Sequence, residues 1–267
     1  MVNHVHHDSA LAVLAQTPDE TIDLIYIDPP FGIGRDQVSS RAKSDATYTR
    51  MKYADPSDDY VVWLTTHVRE LKRVLKKNGT IYVHLDYHWV HYAKVMMDVE
   101  FGVDNFLNEI VVSYNFGGRG KKCWPKKHDT ILMYVKDHKD YVFNYDDIDR
   151  IPYKAPEMQK VGRSPEDAAI RIAAGQVPTD VWDIGIVGTN AKERNGYPTQ
   201  KPMKLLERII LASSPSDGVV MDVFGGSGTT GEAAHKHGRN FVLVDQSPWS
   251  IEVMTDRFKN IDVVWHV

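Results

Sequence analysis

Tyr26-Ile27-Asp28-Pro29-Pro30-Phe31 places a carboxylate, a rigid carbonyl and an aromatic ring within four residues, just past an apolar run. Asp28 and the Pro29 carbonyl are two hydrogen-bond acceptors, and Phe31 is a flat apolar face. Together they suit an exocyclic amine on a planar base, which offers two N–H donors and a ring to stack. Pro29 and Pro30 restrict the backbone, so the acceptors are held in place before a substrate arrives. The same string also reads as a rigid turn that stops a buried strand and binds nothing.

A second cluster, Asp222-Val223-Phe224-Gly225-Gly226-Ser227-Gly228-Thr229-Thr230-Gly231, runs from an apolar strand through glycines into a helix. Glycine lets a backbone approach a ligand closely, and a helix start offers N–H groups with no partner inside the helix. Asp245 closes the following apolar run, 17 residues past Gly228. A carboxylate there can accept both ribose hydroxyls of an adenosine ligand. Gly226-x-Gly228-x-x-Gly231 also matches the dinucleotide fingerprint, so on this motif alone NAD stands beside a tight turn with no ligand. Only 22 residues follow Asp245, too few for the second half of a dinucleotide sheet. The remaining strands are therefore expected from upstream, which makes the sheet circularly permuted.

Tyr114 to Lys127 carries Arg119, Lys121, Lys122, Lys126 and Lys127 with no acidic residue, interleaved with Tyr114, Phe116 and Trp124. Cations beside stacking faces suit phosphates and unpaired bases, although a solvated hairpin tip has the same composition. A loop over residues 35–53 holds Arg35, Arg41, Lys43, Arg50 and Lys52 against Asp36 and Asp45, directly after the Asp28 motif. Among the histidines, His4, His6 and His7 lie near the start, and His88 and His91 are three apart on an expected helix. Paired imidazoles can hold zinc, but exposed or half-buried histidine is the commoner outcome, and no metal site is expected.

These groups need a scaffold, and the apolar pattern supplies one. Ile22 to Ile27 reads as a strand buried on both faces that stops at Asp28-Pro29-Pro30. Residues 58–77 read as a helix, with Val61, Leu64, Val68, Leu71 and Leu75 on one face, Ser57 as cap and Gly79 just past the end. Further elements are a strand Thr80 to Leu85, a helix over about 87–99, and a hairpin of Glu109 to Tyr114 with Thr130 to Val135. Periodicity fades over 136–198, where prolines accumulate around one short helix, Pro165 to Ala174. It returns as helix Lys201 to Ser213, strand Gly218 to Phe224, helix Thr229 to His237 and strand Phe241 to Asp245. Short strands alternating with helices give an α/β sheet with helices on both faces.

Composition agrees: 42% hydrophobic and 25% charged residues over 267 positions describe an ordinary globular chain. One cysteine, Cys123, excludes an internal disulfide and a zinc-cysteine module. No run is long enough to cross a bilayer and the N-terminus lacks signal-peptide features, so a cytoplasmic protein without membrane contact is expected. A net charge of −4 argues against diffuse binding to nucleic acid but allows one basic face.

In this order the motifs resemble the amino-group DNA methyltransferases that use S-adenosylmethionine (SAM), in the beta subgroup whose catalytic motif precedes the cofactor motif. His7-Asp8-Ser9-Ala10-Leu11 is similar to the family's N-terminal Gly-Asp segment, with His7 in place of glycine. Tyr197-Pro198-Thr199-Gln200-Lys201-Pro202 resembles the segment that opens the helix before the cofactor strand, and Val223 replaces a usual proline.

The resemblance implies a Rossmann-like, circularly permuted sheet, mostly parallel with an antiparallel hairpin. It divides the chain into a catalytic half at 1–135, an inserted target-recognition region at 136–198 and a SAM-binding half at 199–267. SAM is then expected on Asp8, Lys201, Asp222, Phe224, Gly225, Gly226, Ser227, Gly228, Thr229, Thr230 and Asp245. Within that set Asp8 meets the adenine, Lys201 the methionine carboxylate and Asp245 the ribose. Asp28, Pro29, Pro30 and Phe31 act on a base flipped from double-stranded DNA, which Arg119, Lys121, Lys122, Lys126 and Lys127 contact. A homodimer and a cognate restriction endonuclease are the further partners it implies.

Family members acting on cytosine usually open the catalytic motif with serine, so Asp-Pro-Pro-Phe implies the N6 amine of adenine. The larger purine face also stacks better on Phe31. N4 of cytosine is the alternative reading. A methyltransferase of RNA or protein and a non-catalytic DNA-binding protein represent other classes.

Overall fold

The computed structural model describes residues 2–30, 60–114, 120–152, 164–188 and 190–267. Phe31, Arg119, Ser57 and the basic loop at 35–53 lie outside the described residues. In chain order the strands are β1 (Asn3–His6), β2 (Ile22–Ile27), β3 (Leu75–Leu85), β4 (Phe106–Ser113), β5 (His128–Val135), β6 (Val181–Asp183), β7 (Val219–Asp222), β8 (Asn240–Val244) and β9 (Val263–His266). The helices are α1 (Ala10–Gln16), α2 (Tyr60–Val74), α3 (Val90–Phe101), α4 (Pro165–Ala174), α5 (Met203–Ser213), α6 (Thr229–Lys236) and α7 (Pro248–Arg257).

Among the described residues the strands form one sheet in the order β6-β4-β5-β3-β2-β7-β8-β1-β9. β5 alone runs antiparallel to its neighbours, β3 and β4. The expected permuted, mostly parallel sheet with one hairpin is therefore the fold. Its core lies on both faces. One cluster joins α1, α2 and α3 to the sheet through Leu14, Leu64, Val68 and Met97. The other joins α5, α6 and α7 through Leu206, Ile209, Ala234 and Met254.

Several boundaries differ from the sequence reading. The helix over 58–77 ends at Val74, and Gly79 lies inside β3. Leu75 pairs with Ile22, after which the register shifts, so the chain turns extended before the glycine. A Cβ at Gly79 would sit 3.0 Å from the Asp23 carbonyl oxygen, so close packing against β2 calls for glycine there. His88 precedes α3, which spans Val90–Phe101, so His88 and His91 do not share a helix face. The irregular stretch after 136 contributes β6, which extends the sheet beyond β4. Trp182 and Ile184 carry it into the core. The last 22 residues add α7 and β9, where no further strand was expected. Among the described residues no helix is long and apolar enough to cross a membrane.

Candidate active site

Parallel strands send their next helices to either side, and where the direction changes a crevice opens at their carboxyl ends. β2 leads to β3 and β7 leads to β8, yet β2 and β7 are direct neighbours, with Leu24 opposite Val220 and Ile25 opposite Met221. Asp28 and Phe224 therefore emerge side by side at that crevice. β3 ends on the same rim. Since Leu85 pairs with Thr130 and Ser113 with His128, the β4–β5 hairpin tip stands there too.

The glycine turn is shaped by packing and by its own hydrogen bonds. Gly226 (φ 49°) and Gly228 (φ 76°) adopt left-handed backbone that other residues strain to reach. A Cβ on Gly228 would also lie 2.8 Å from Met254 and 3.0 Å from Phe258. Asp222 is buried at the end of β7, where one carboxylate oxygen accepts from the Phe224 N–H (3.0 Å) and the other from the Thr230 hydroxyl (2.6 Å). Burial pushes Asp222 up to about 7, with repulsion from Asp28 and Asp245 adding to it against those two hydrogen bonds. Asp245 accepts from the Gly226 N–H (2.8 Å) and the Ser247 N–H (2.8 Å), and burial raises it against these bonds.

The Tyr197–Lys201 segment braces this turn from outside. Tyr197 packs at a tilt against Trp249 with ring centroids 4.9 Å apart and touches the Gly226 position. Asn195 donates to the Ser227 carbonyl (3.4 Å), and Gln200 accepts from the Asn195 N–H (3.0 Å). Ser227 and Thr229 are buried and share a hydroxyl hydrogen bond of 2.9 Å. Phe224 packs toward α2, its ring 5.6 Å from both Trp63 and His67. Val223 is buried in the core.

Asp28 is bonded differently. One of its oxygens accepts from the Lys201 ammonium, whereas Oδ1 is buried and has no hydrogen-bond partner among the described residues. Behind it runs a chain of polar groups. The Tyr26 hydroxyl meets His84 Nδ1 (2.8 Å), His84 Nε2 lies 3.4 Å from Asp129 Oδ2, and the Tyr114 hydroxyl donates to Asp129 Oδ1 (3.3 Å). Burial raises Tyr26 far above its ordinary range, with Asp28, Asp222 and Asp129 adding to the effect. Burial pulls Asp129 up, but His84, Lys201 and Tyr114 outweigh it and hold the carboxyl below its usual value. A histidine inside the apolar strand Thr80 to Leu85 is the sequence feature that points to this chain.

The other expected site residues are more scattered. Asp8 is exposed beyond β1, near Asp245, whose N–H donates to the His6 carbonyl (3.1 Å). Lys121, Lys122 and Lys126 are exposed at the hairpin tip with Trp124, which is 92% exposed. Lys126 lies over the Tyr87 ring at 4.5 Å. Lys127 is half-buried, and its carbonyl accepts from the Tyr114 N–H.

The permuted α/β sheet thus brings a glycine turn and the Asp28 carboxylate together at the ends of adjoining strands. Residues 22–256 match the N6/N4 DNA methylase family, and the chain belongs to that family. It is 33% identical over 261 residues to the DNA adenine methyltransferase YhdJ of Escherichia coli (strain K12), covering 97% of this chain and 83% of YhdJ. The fold is similar to that of the PvuII DNA methyltransferase, named as cytosine-N4-specific, with a TM-score of 0.69 and 17% identity over 97% of this chain and 86% of that one. It is also similar to M1.HpyAVI in its SAM complex, with a TM-score of 0.63 and 18% identity over 96% and 98% of the two chains. The cofactor is SAM and the substrate is DNA.

The crevice fits that cofactor. Asp28 and Asp245 both repel Asp222, so carboxylates gather in this crevice, which suits a cationic sulfonium better than the pyrophosphate of NAD.

Proposed function

We propose that this chain methylates the N6 amine of adenine in double-stranded DNA. The observation that carries the reading is the free, buried Oδ1 of Asp28 beside the glycine turn, an acceptor poised for a donor that the described residues do not supply. SAM supplies a methyl group activated by its positively charged sulfur. The adenine amine is a poor nucleophile because its lone pair is delocalised into the ring. Asp28 and the Pro29 carbonyl accept its two N–H bonds, which favours a pyramidal nitrogen with a localised lone pair. Phe31 stacks on the flipped base and fixes its orientation. After transfer the acidic ammonium loses a proton to Asp28 or to water.

The cofactor is held by the Gly225–Thr230 turn, with Asp222 and Phe224 shaping it, Asp245 at the ribose and Asp8 at the adenine. Lys201 is shared between Asp28 and the methionine carboxylate, so an anion arriving at Lys201 loosens its hold on Asp28. Arg119, Lys121, Lys122, Lys126 and Lys127 contact DNA phosphate, and the segment 136–198 reads the target sequence between a catalytic half, 1–135, and a cofactor half, 199–267.

Adenine is favoured over cytosine by the Asp-Pro-Pro-Phe motif and by the similarity to YhdJ. DNA methylated by the protein, digested to nucleosides and analysed by mass spectrometry, is expected to contain N6-methyladenine. N4-methylcytosine in its place would overturn the choice of base and leave the fold and cofactor intact.

A further inference from the structure

The sheet edge at β1 and β9 carries a side-chain cluster that methyl transfer does not use. The two strands are parallel, with His6 opposite His266. Along β1 the buried Asn3 and Val5 alternate with the half-buried His4 and His6, so both rings lie on one face. His4 Nδ1 is 3.0 Å from His266 Nε2, and the His6 and His266 rings stack at 4.0 Å with 2° between their planes. One nitrogen from each of the three rings lies within 4.8 Å of the other two. They line an open cleft of about 820 Å³, closed on other sides by Val13 and Gln16 of α1 and by Met221 and Val242 of the sheet.

Two imidazole lone pairs at 3.0 Å repel unless a proton or a cation lies between them. A proton links two rings, whereas a metal ion accepts a lone pair from all three. Imidazole ligates a metal in its neutral form. The donor set is nitrogen only, which suits zinc, nickel or copper and is foreign to magnesium or calcium. In a tetrahedral zinc site with bonds of about 2.0–2.1 Å the ligand nitrogens stand about 3.3 Å apart, so the His6 ring has to turn out of its stack on His266 for the three lone pairs to converge.

We propose that His4, His6 and His266 form a site for one borderline divalent cation, with zinc as the reference ion, at the seam between the first and last strands. Three imidazoles leave a fourth position for water or another ligand, and all three rings line the cleft. The ion ties β9 to β1. Among the described residues that is the only strand with which β9 pairs, so occupancy stabilises the sheet edge.

The test is a titration of the metal-free 267-residue chain with Zn²⁺ against a chromophoric chelator, alongside thermal melting. One equivalent bound per chain and a rise in Tm are expected. His266→Ala and His4→Gln should each weaken binding by roughly tenfold or more and remove the rise in Tm. His88→Ala should change neither. SAM binding by each variant verifies folding, and His6→Gln replaces His4→Gln if the latter does not fold. Absence of binding to the wild type, binding that survives the triad substitutions, or binding lost in His88→Ala would overturn the proposal.

Discussion

Asp28 and Asp222 stand at the ends of neighbouring strands in one crevice, yet they are bonded in opposite ways. Both oxygens of Asp222 are taken by the turn that they shape, through the Phe224 N–H and the Thr230 hydroxyl. Asp245 is likewise committed to Gly226 and Ser247. Asp28 gives one oxygen to Lys201 and leaves the other buried without a partner among the described residues. On the function proposed above, the cofactor side is built in advance by internal hydrogen bonds, while the side that meets the base is completed by its substrate. An unpaired buried acceptor costs stability, and in an active site that cost is recovered when the substrate donates.

Four changes break or sharpen this contrast. The largest effect is expected from Asp28→Ala, which removes an acceptor used chiefly in the transition state. Methyl transfer to DNA, followed with labelled SAM, should fall by roughly 10²- to 10³-fold or more, and near wild-type turnover would take Asp28 out of the chemistry. Asp245→Ala acts on the built side. It should weaken SAM binding by about 1 to 3 kcal/mol, the cost of lost charge-assisted hydrogen bonds, and unchanged calorimetric affinity would separate Asp245 from the cofactor.

At the rim, replacing Lys121, Lys122 and Lys126 with Gln should weaken DNA binding. The slope of log affinity against log salt should flatten by about one unit per lysine, and an unchanged slope would make the hairpin tip merely solvated.

The last change concerns Asp222, and its readout is stability in place of activity or binding. Between its ordinary 3.8 and the raised value of about 7, the folded chain keeps a proton that the unfolded chain releases. This group therefore makes stability fall as pH rises through that window. Asp222→Asn, measured by melting at several pH values, should flatten that fall, and parallel curves for the two proteins would contradict the assignment.

The crevice was legible in the sequence because each of its two motifs ends an apolar run with a hard stop, proline after Asp28 and glycine after Phe224. The permuted order showed in the Asp28 motif standing upstream of the glycine turn. The edge strands have four residues each: β1 carries a single apolar residue between two histidines and does not read as an apolar run, whereas β9 did carry a signal in Val263 to Trp265. β6, with three residues, exists through its pairing with β4. α7 did carry a signal, Ser247 before Pro248, and the Ser247 side chain accepts from the Ser250 N–H at the helix start. The chain from Tyr26 through His84 to Asp129 joins three strands far apart in sequence, and only the sheet order brings them together.

The division of labour across the crevice is tested most directly by calorimetric SAM binding to Asp28→Ala. With Asp28 gone, Lys201 loses one partner and is freer to meet the cofactor's carboxylate. Affinity equal to or tighter than that of the wild type is the expected result. Affinity lost to the extent expected of Asp245→Ala would mean that Asp28 belongs to the cofactor site, contradicting the separation of a built cradle from a waiting acceptor.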